Sequence, residues 1–160
     1  MPPNFLLKCR RKLKMTTVEP LQKTSQRTPH TLILPCSGIG KTLGTLTRWT
    51  AYELMENSDL PSPKLLCLAR LVVADEESQL LIQNNTIVNI DGCPKKCATL
   101  NVERNNGRVL KQYMMPKFLV KNRDLSLGTD VIDPGEMGLE LAKRAAVSIA
   151  QDITELLEAQ

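Results

Sequence analysis

The chain has 160 residues, 42% of them hydrophobic and 24% charged, which suffices for one domain with a genuine apolar core. Its aromatic residues are only Phe5, Trp49, Tyr52, Tyr113 and Phe118, which argues against a nucleic-acid surface built on base stacking. No apolar run approaches the ~20 residues needed to span a bilayer, and the net charge of +4 is unevenly spread.

Residues 1–29 hold seven basic side chains against Glu19, a net +6, which leaves −2 for the rest of the chain. This segment reads as a solvated, mobile basic arm, with the folded domain expected over residues 30–160. Phe5-Leu6-Leu7 is too short for a secretory h-region of about 7–15 apolar residues. The expected compartment is the cytoplasm, where thiols stay reduced and clustered cysteines read as metal-binding or catalytic. Cys9, inside the arm, is set apart from the site.

In chain order, Thr31–Pro35 is an apolar strand, and the glycines of residues 36–41 turn it into a helix expected over Lys41–Glu56. Turn chemistry at residues 57–63 precedes a second strand, Lys64–Leu68. A second helix is expected between Ala74 and Gln83, with Asp75, Glu76 and Glu77 suited to its first turn. Thr86–Ile90 is a β-branched third strand. Pro94 suits the first position of a third helix reaching Asn105. Residues 109–120 suggest one or two further strands, with Pro116 opposing a long central one. The last helix starts at Asp133-Pro134, with an apolar stripe of Ala142, Ala145, Ala146, Ile149, Ile153 and Leu156. This βα rhythm predicts a single α/β domain of three layers, a mostly parallel sheet with helices on both faces.

Cys36, Cys67 and Cys93 each follow an apolar run, at intervals of 31 and 26 residues, near the roughly 30 residues of a βαβ unit. In a parallel sheet such positions gather at the carboxyl edge, where α/β proteins place their ligands. Cys97 is four residues beyond Cys93, so on a helix beginning at Pro94 the two would share a face. A helix N-terminus also favours a thiolate, the form that binds metal or attacks an electrophile. Four thiolates suit tetrahedral zinc and also an iron–sulfur cluster. A thiol redox or sulfur-transfer role, with Cys36 as nucleophile and Cys93 and Cys97 as resolving pair, is the enzyme-like alternative. The bland alternative is inert, buried cysteines.

Residues 35–42 match the phosphate-binding pattern G-x-x-x-x-G-K-[ST], except that Pro35 replaces the first glycine. That proline removes an N–H and fixes φ where the loop needs freedom, which argues against nucleotide hydrolysis. The loop of Ser37, Gly38, Gly40, Lys41 and Thr42 remains a candidate cup for a small anion, and such a cup would lower the pKa of Cys36. Asp91 is placed either as an acceptor of backbone N–H groups in its turn or as a group tuning the cysteines from behind. The lone His30 precedes the first strand and reads as solvated.

Three segments in order carry a resemblance: Cys36-Ser-Gly-Ile-Gly-Lys41, Cys67-Leu-Ala-Arg-Leu71 followed by Ala74-Asp-Glu-Glu77, and Ile90-Asp-Gly-Cys-Pro-Lys-Lys-Cys-Ala98. With these, the chain resembles the DGC-domain family of proteins described as zinc-binding, named for the motif at Asp91-Gly92-Cys93. The resemblance covers most of residues 32–104 and fades through the last third. It implies Cys36, Cys67, Cys93 and Cys97 as the chelating cysteines and implies no reaction.

Overall fold

The structure, a computed structural model, describes residues 30–159. The arm expected at 1–29, with Cys9, lies outside the described residues. Ten elements follow in order: β1 (Thr31–Pro35), α1 (Thr42–Asn57), β2 (Pro63–Leu65), α2 (Leu68–Val72), α3 (Glu76–Asn84), β3 (Thr86–Asp91), α4 (Cys97–Arg104), β4 (Val109–Met114), α5 (Met115–Lys121) and α6 (Gly135–Glu158). The four strands form one sheet in the order β2-β1-β3-β4, every pairing parallel.

Alternation along the strands divides the core into two layers. Ile33 of β1, Val88 and Ile90 of β3 and Tyr113 of β4 face Leu46 and Leu54 of α1, Phe118 of α5 and Leu141 and Ile149 of α6. Leu32 and Leu34 of β1 and Ile87 of β3 face the opposite way, toward Leu71 of α2, Ile82 of α3 and Val102 of α4. Helices cover both faces of the sheet, so the expected α/β domain is the one observed. Among the described residues no helix is long and apolar enough to cross a membrane.

Several boundaries differ from the sequence reading for identifiable reasons. The second strand is shorter than expected, Pro63–Leu65, although the Leu66 N–H still donates to the Ile33 carbonyl at 2.9 Å. The five-residue α2 was not anticipated, because so short a helix leaves no periodicity to read. Asp75 is the N-cap of α3, its carboxylate accepting the Ser78 N–H at 2.9 Å. Pro116 does not interrupt a strand; it lies in the first turn of α5, where its missing N–H costs nothing. Asp133 acts one residue further out than expected, accepting the Gly135 N–H at 2.9 Å as α6 begins. The α6 stripe is buried as expected from Ala142 to Ile153, while Leu156 is only half-buried.

Candidate functional site

The order β2-β1-β3 makes neighbours of the strands that precede Cys67, Cys36 and Cys93. Cys36 immediately follows β1, and Cys67 and Cys93 each come two residues after their strands. All three therefore belong to the carboxyl edge of the sheet, as their phase predicts. The chain leaves β1 toward β2 on one side and leaves β3 toward β4 on the other. This is a topological switch point, where such folds open a crevice for ligands.

The third helix does not begin at Pro94. Residues 93–96 form a turn closed by the Lys96 N–H on the Cys93 carbonyl at 3.1 Å, with proline at the position where its fixed φ is favoured. Lys96 then takes a left-handed conformation, φ 51°, and α4 starts at Cys97. Cys93 thus sits in a turn and Cys97 in a first helical turn, so they do not share a helix face.

The four cysteines have unlike surroundings. Cys36 is buried, Cys67 is exposed, and Cys93 and Cys97 are half-buried. Cys36 belongs to the apolar cluster beneath α2 and α4, and Cys97 packs against that same cluster. The Cys36 N–H donates to the Ile90 carbonyl at 2.8 Å, which ties the end of β1 to β3. Burial lifts the Cys36 thiol above its ordinary range, and nearby Cys97 and Asp91 add to the lift. The N–H groups of Gly38 and Gly92, directed at its sulfur, pull the other way. The lowering expected from the loop is present but burial outweighs it.

Glycines let these segments meet. A Cβ on Gly38 would stand 2.1 Å from the Gly44 Cα, and one on Gly44 would stand 2.2 Å from the Gly38 Cα. Gly92 leans on the same point, its notional Cβ 3.0 Å from the Gly44 Cα. The loop after β1, the first turn of α1 and the turn after β3 therefore touch through backbone alone. Gly44 went unread in the sequence; a glycine early in an otherwise helical stretch is the signal that marks it.

Asp91 is fully buried at the end of β3. Its carboxylate accepts the Ala98 N–H at 2.9 Å, the Thr99 N–H at 3.4 Å, the Thr99 hydroxyl at 2.7 Å and the Gln112 amide at 3.0 Å. The role of backbone acceptor is seen, with donors on α4 rather than in the turn, and the Asp91 charge also acts on the nearby Cys36 thiol. Thr99 and Gln112 were not anticipated, since neither belongs to a recognisable spacing. Asn89, one strand position pair earlier on the same face, donates to the Thr99 hydroxyl at 3.4 Å.

The loop of Ser37, Gly38, Gly40, Lys41 and Thr42 takes left-handed backbone at both glycines, φ 56° and 86°. The Lys41 N–H is spent on the Gly38 carbonyl at 3.2 Å, and the Lys41 side chain is exposed. The Thr42 hydroxyl donates to the Asp130 carbonyl at 3.2 Å, and the Thr45 hydroxyl to the Val131 carbonyl at 2.5 Å. The segment before α6 thus docks on the start of α1. Thr42 and Asp91 are thus both engaged with the chain itself.

A family model for the DGC domain matches residues 32–134. The chain belongs to the DGC domain family. Comparison with curated proteins gives no match, and comparison with solved structures gives none. The DGC match contains Cys36, Cys67, Cys93 and Cys97, the loop 37–42 and Asp91, while α6 lies beyond it. Among the described residues of this DGC domain, no three His, Cys, Asp or Glu groups are gathered closely enough to hold a metal ion. The donors are of the soft type that selects zinc or iron–sulfur clusters. Their fit is one of chemistry and of shared sheet edge, without a closed shell.

A cleft of about 500 Å³ lies elsewhere, at the amino ends of β3 and β4, lined by Asn84, Asn85, Thr86, Arg108 and Val109 among others. It is on the edge opposite the cysteines and shares no residue with them.

Proposed function

We propose that this DGC domain binds a thiophilic metal ion, zinc foremost and an iron–sulfur cluster as the alternative cofactor, through Cys36, Cys67, Cys93 and Cys97. The observation that carries the reading is the strand order β2-β1-β3, which brings three cysteines from distant parts of the sequence to one edge at the switch point. Cys97, on the first residue of α4, is the fourth donor. Cys36 and Cys97 share one apolar cluster and form the inner part of the set. Cys67, exposed at the start of α2, and Cys93, in a turn, form the outer part. Bound zinc would supply either added fold stability in a closed thiolate shell or a Lewis acid at an open position.

The chain's own residues prepare the edge. Asp91 fixes the first turn of α4, and Gly38, Gly44 and Gly92 let three backbone segments close around Cys36. The loop 37–42 belongs to the same edge, and we assign it a small anion as the second ligand class, with Lys41 supplying charge.

The test is the metal content of protein purified without chelator or affinity-metal resin. About one zinc per chain is expected, with Zn–S distances near 2.3 Å by X-ray absorption. Reduced protein that takes up neither zinc nor iron with its thiols accessible would falsify the reading.

A further inference from the structure

We infer that Cys36 and Cys97 are the chain's redox-active dithiol, closing into an intrachain disulfide under hydrogen peroxide and so withdrawing two thiolates from the metal site. The pairing differs from the one that sequence proximity suggests, Cys93 with Cys97. Only the loss of metal rests on the proposed function; the pairing stands on its own geometry.

Both residues are anchored to the end of β3, and Cys97 is near enough for its charge to act on the Cys36 thiol. Cys36 is tied there by its N–H on the Ile90 carbonyl at 2.8 Å, and the Gly92 N–H is directed at its sulfur. Cys97 is tied there because the next residue, Ala98, gives its N–H to the Asp91 carboxylate at 2.9 Å. The two side chains pack in one apolar cluster with Leu66, Leu68 and Ala98. Cys93 sits in its turn and Cys67 is exposed just before α2; neither belongs to that cluster.

Exposure assigns the order of events. Half-buried Cys97 meets the oxidant first: its thiolate attacks one peroxide oxygen, the O–O bond breaks, and a sulfenic acid and water result. Buried Cys36 then attacks the Cys97 sulfur, the S–S bond forms, and the sulfenic oxygen leaves as a second water. The two thiols lose two electrons and two protons, and the peroxide is reduced to two waters. A thiol reductant reverses the bond by exchange.

The sequence makes the test direct, because trypsin separates the cysteines. Cys36 falls in peptide 28–41, Cys67 in 65–70, Cys93 in 71–95 and Cys97 in 97–104. Reduced, metal-free full-length protein is treated with hydrogen peroxide, its remaining thiols are blocked, and the digest is mapped without reduction. The expected product is 28–41 linked to 97–104, with two thiols lost. The link should persist in Cys93→Ser and vanish in Cys97→Ala, where the Cys36 peptide stays free. A dominant link to 71–95 or 65–70, or over-oxidation of Cys97 with no link, overturns the pairing. In the zinc arm, oxidised protein should take up at least tenfold less zinc than reduced protein, with recovery in dithiothreitol. Equal uptake overturns the gating. Absence of uptake by the reduced protein overturns the metal reading itself, and the peptide map still decides the dithiol.

Discussion

The Asp91 carboxylate accepts the Ala98 N–H at 2.9 Å, so the last residue of β3 caps a helix that does not contain it. Lys96, in the N-cap position of α4, offers no side-chain acceptor, and its left-handed backbone turns the chain sharply. A buried carboxylate reaching across from the sheet replaces the local cap and fixes where Cys97 stands. Replacing Asp91 by Ala leaves the Ala98 and Thr99 amides without their acceptor, at a cost of about 3 kcal/mol. Urea unfolding should show the midpoint falling accordingly. Asp91→Asn should be nearly as damaging, because its amide would turn an N–H₂ toward donors. A midpoint unchanged in both variants would remove Asp91 from this role.

Gly44 and Gly40 offer a contrast between steric and conformational demands. A methyl group on Gly44 would stand 2.2 Å from the Gly38 Cα, backbone that cannot yield cheaply. Gly40 has φ 86° but nothing within 4 Å of a notional Cβ. Gly44→Ala should therefore cost about 3 kcal/mol or more and separate the loop after β1 from α1. Gly40→Ala should cost about 1 kcal/mol, from backbone strain alone. Denaturant titrations of the two variants should fall in that order, and the reverse order would mean that the three-glycine contact does not support the fold.

The fold was legible in the sequence where local chemistry and tertiary demand agree. Thr31–Pro35 and Thr86–Asp91 are β-branched or apolar runs with turn residues at their ends, and both strands stand where the pattern puts them. The phase of Cys36, Cys67 and Cys93 relative to such runs was likewise readable, because strand ends in a parallel sheet share an edge whatever their order. What escaped was set by contacts between distant segments. Pro94 looks like a helix start by propensity, yet the turn at residues 93–96 and the reach of Asp91 to Ala98 delay α4 until Cys97. Pro116 looked like a strand breaker, yet it opens a helix. Thr42 looked like part of an anion cup, yet the Asp130 carbonyl, 88 residues away, takes its hydroxyl. No local pattern encodes such a partner.

Tyr113 gives an alkaline limit to stability. Its hydroxyl donates to the Asp152 carboxylate at 2.7 Å beneath α6. Burial, then the hydrogen bond to Asp152 and last its charge, push its pKa far above the ordinary phenol value. An unfolded chain ionises this tyrosine near pH 10, while the folded chain keeps it neutral. The folded state thus binds the proton more tightly, and its contribution, complete below pH 10, is lost as pH rises above it. Unfolding midpoints measured from pH 8 to pH 11 should decline above pH 10 in the wild type. Tyr113→Phe should begin lower, having lost the hydrogen bond to Asp152, and should show a shallower decline. Parallel curves for the two proteins would place the alkaline sensitivity elsewhere.

The metal reading carries a pH dependence of its own. Cysteine binds zinc as thiolate, so each ligand that is protonated in the free protein must release its proton on binding. Apparent affinity should therefore fall steadily as pH drops from about 8 to 6, with protons released to the buffer in proportion to the thiolates formed. Cys67→Ser, Cys93→Ser and Cys97→Ser should each reduce zinc occupancy and the number of protons released, whereas Cys9→Ser, outside the DGC match, should change neither. Competition titrations with a colorimetric zinc chelator, read alongside the heat of ionisation in two buffers, measure both quantities. Affinity independent of pH across that range would mean that the zinc is held by groups other than these four thiols.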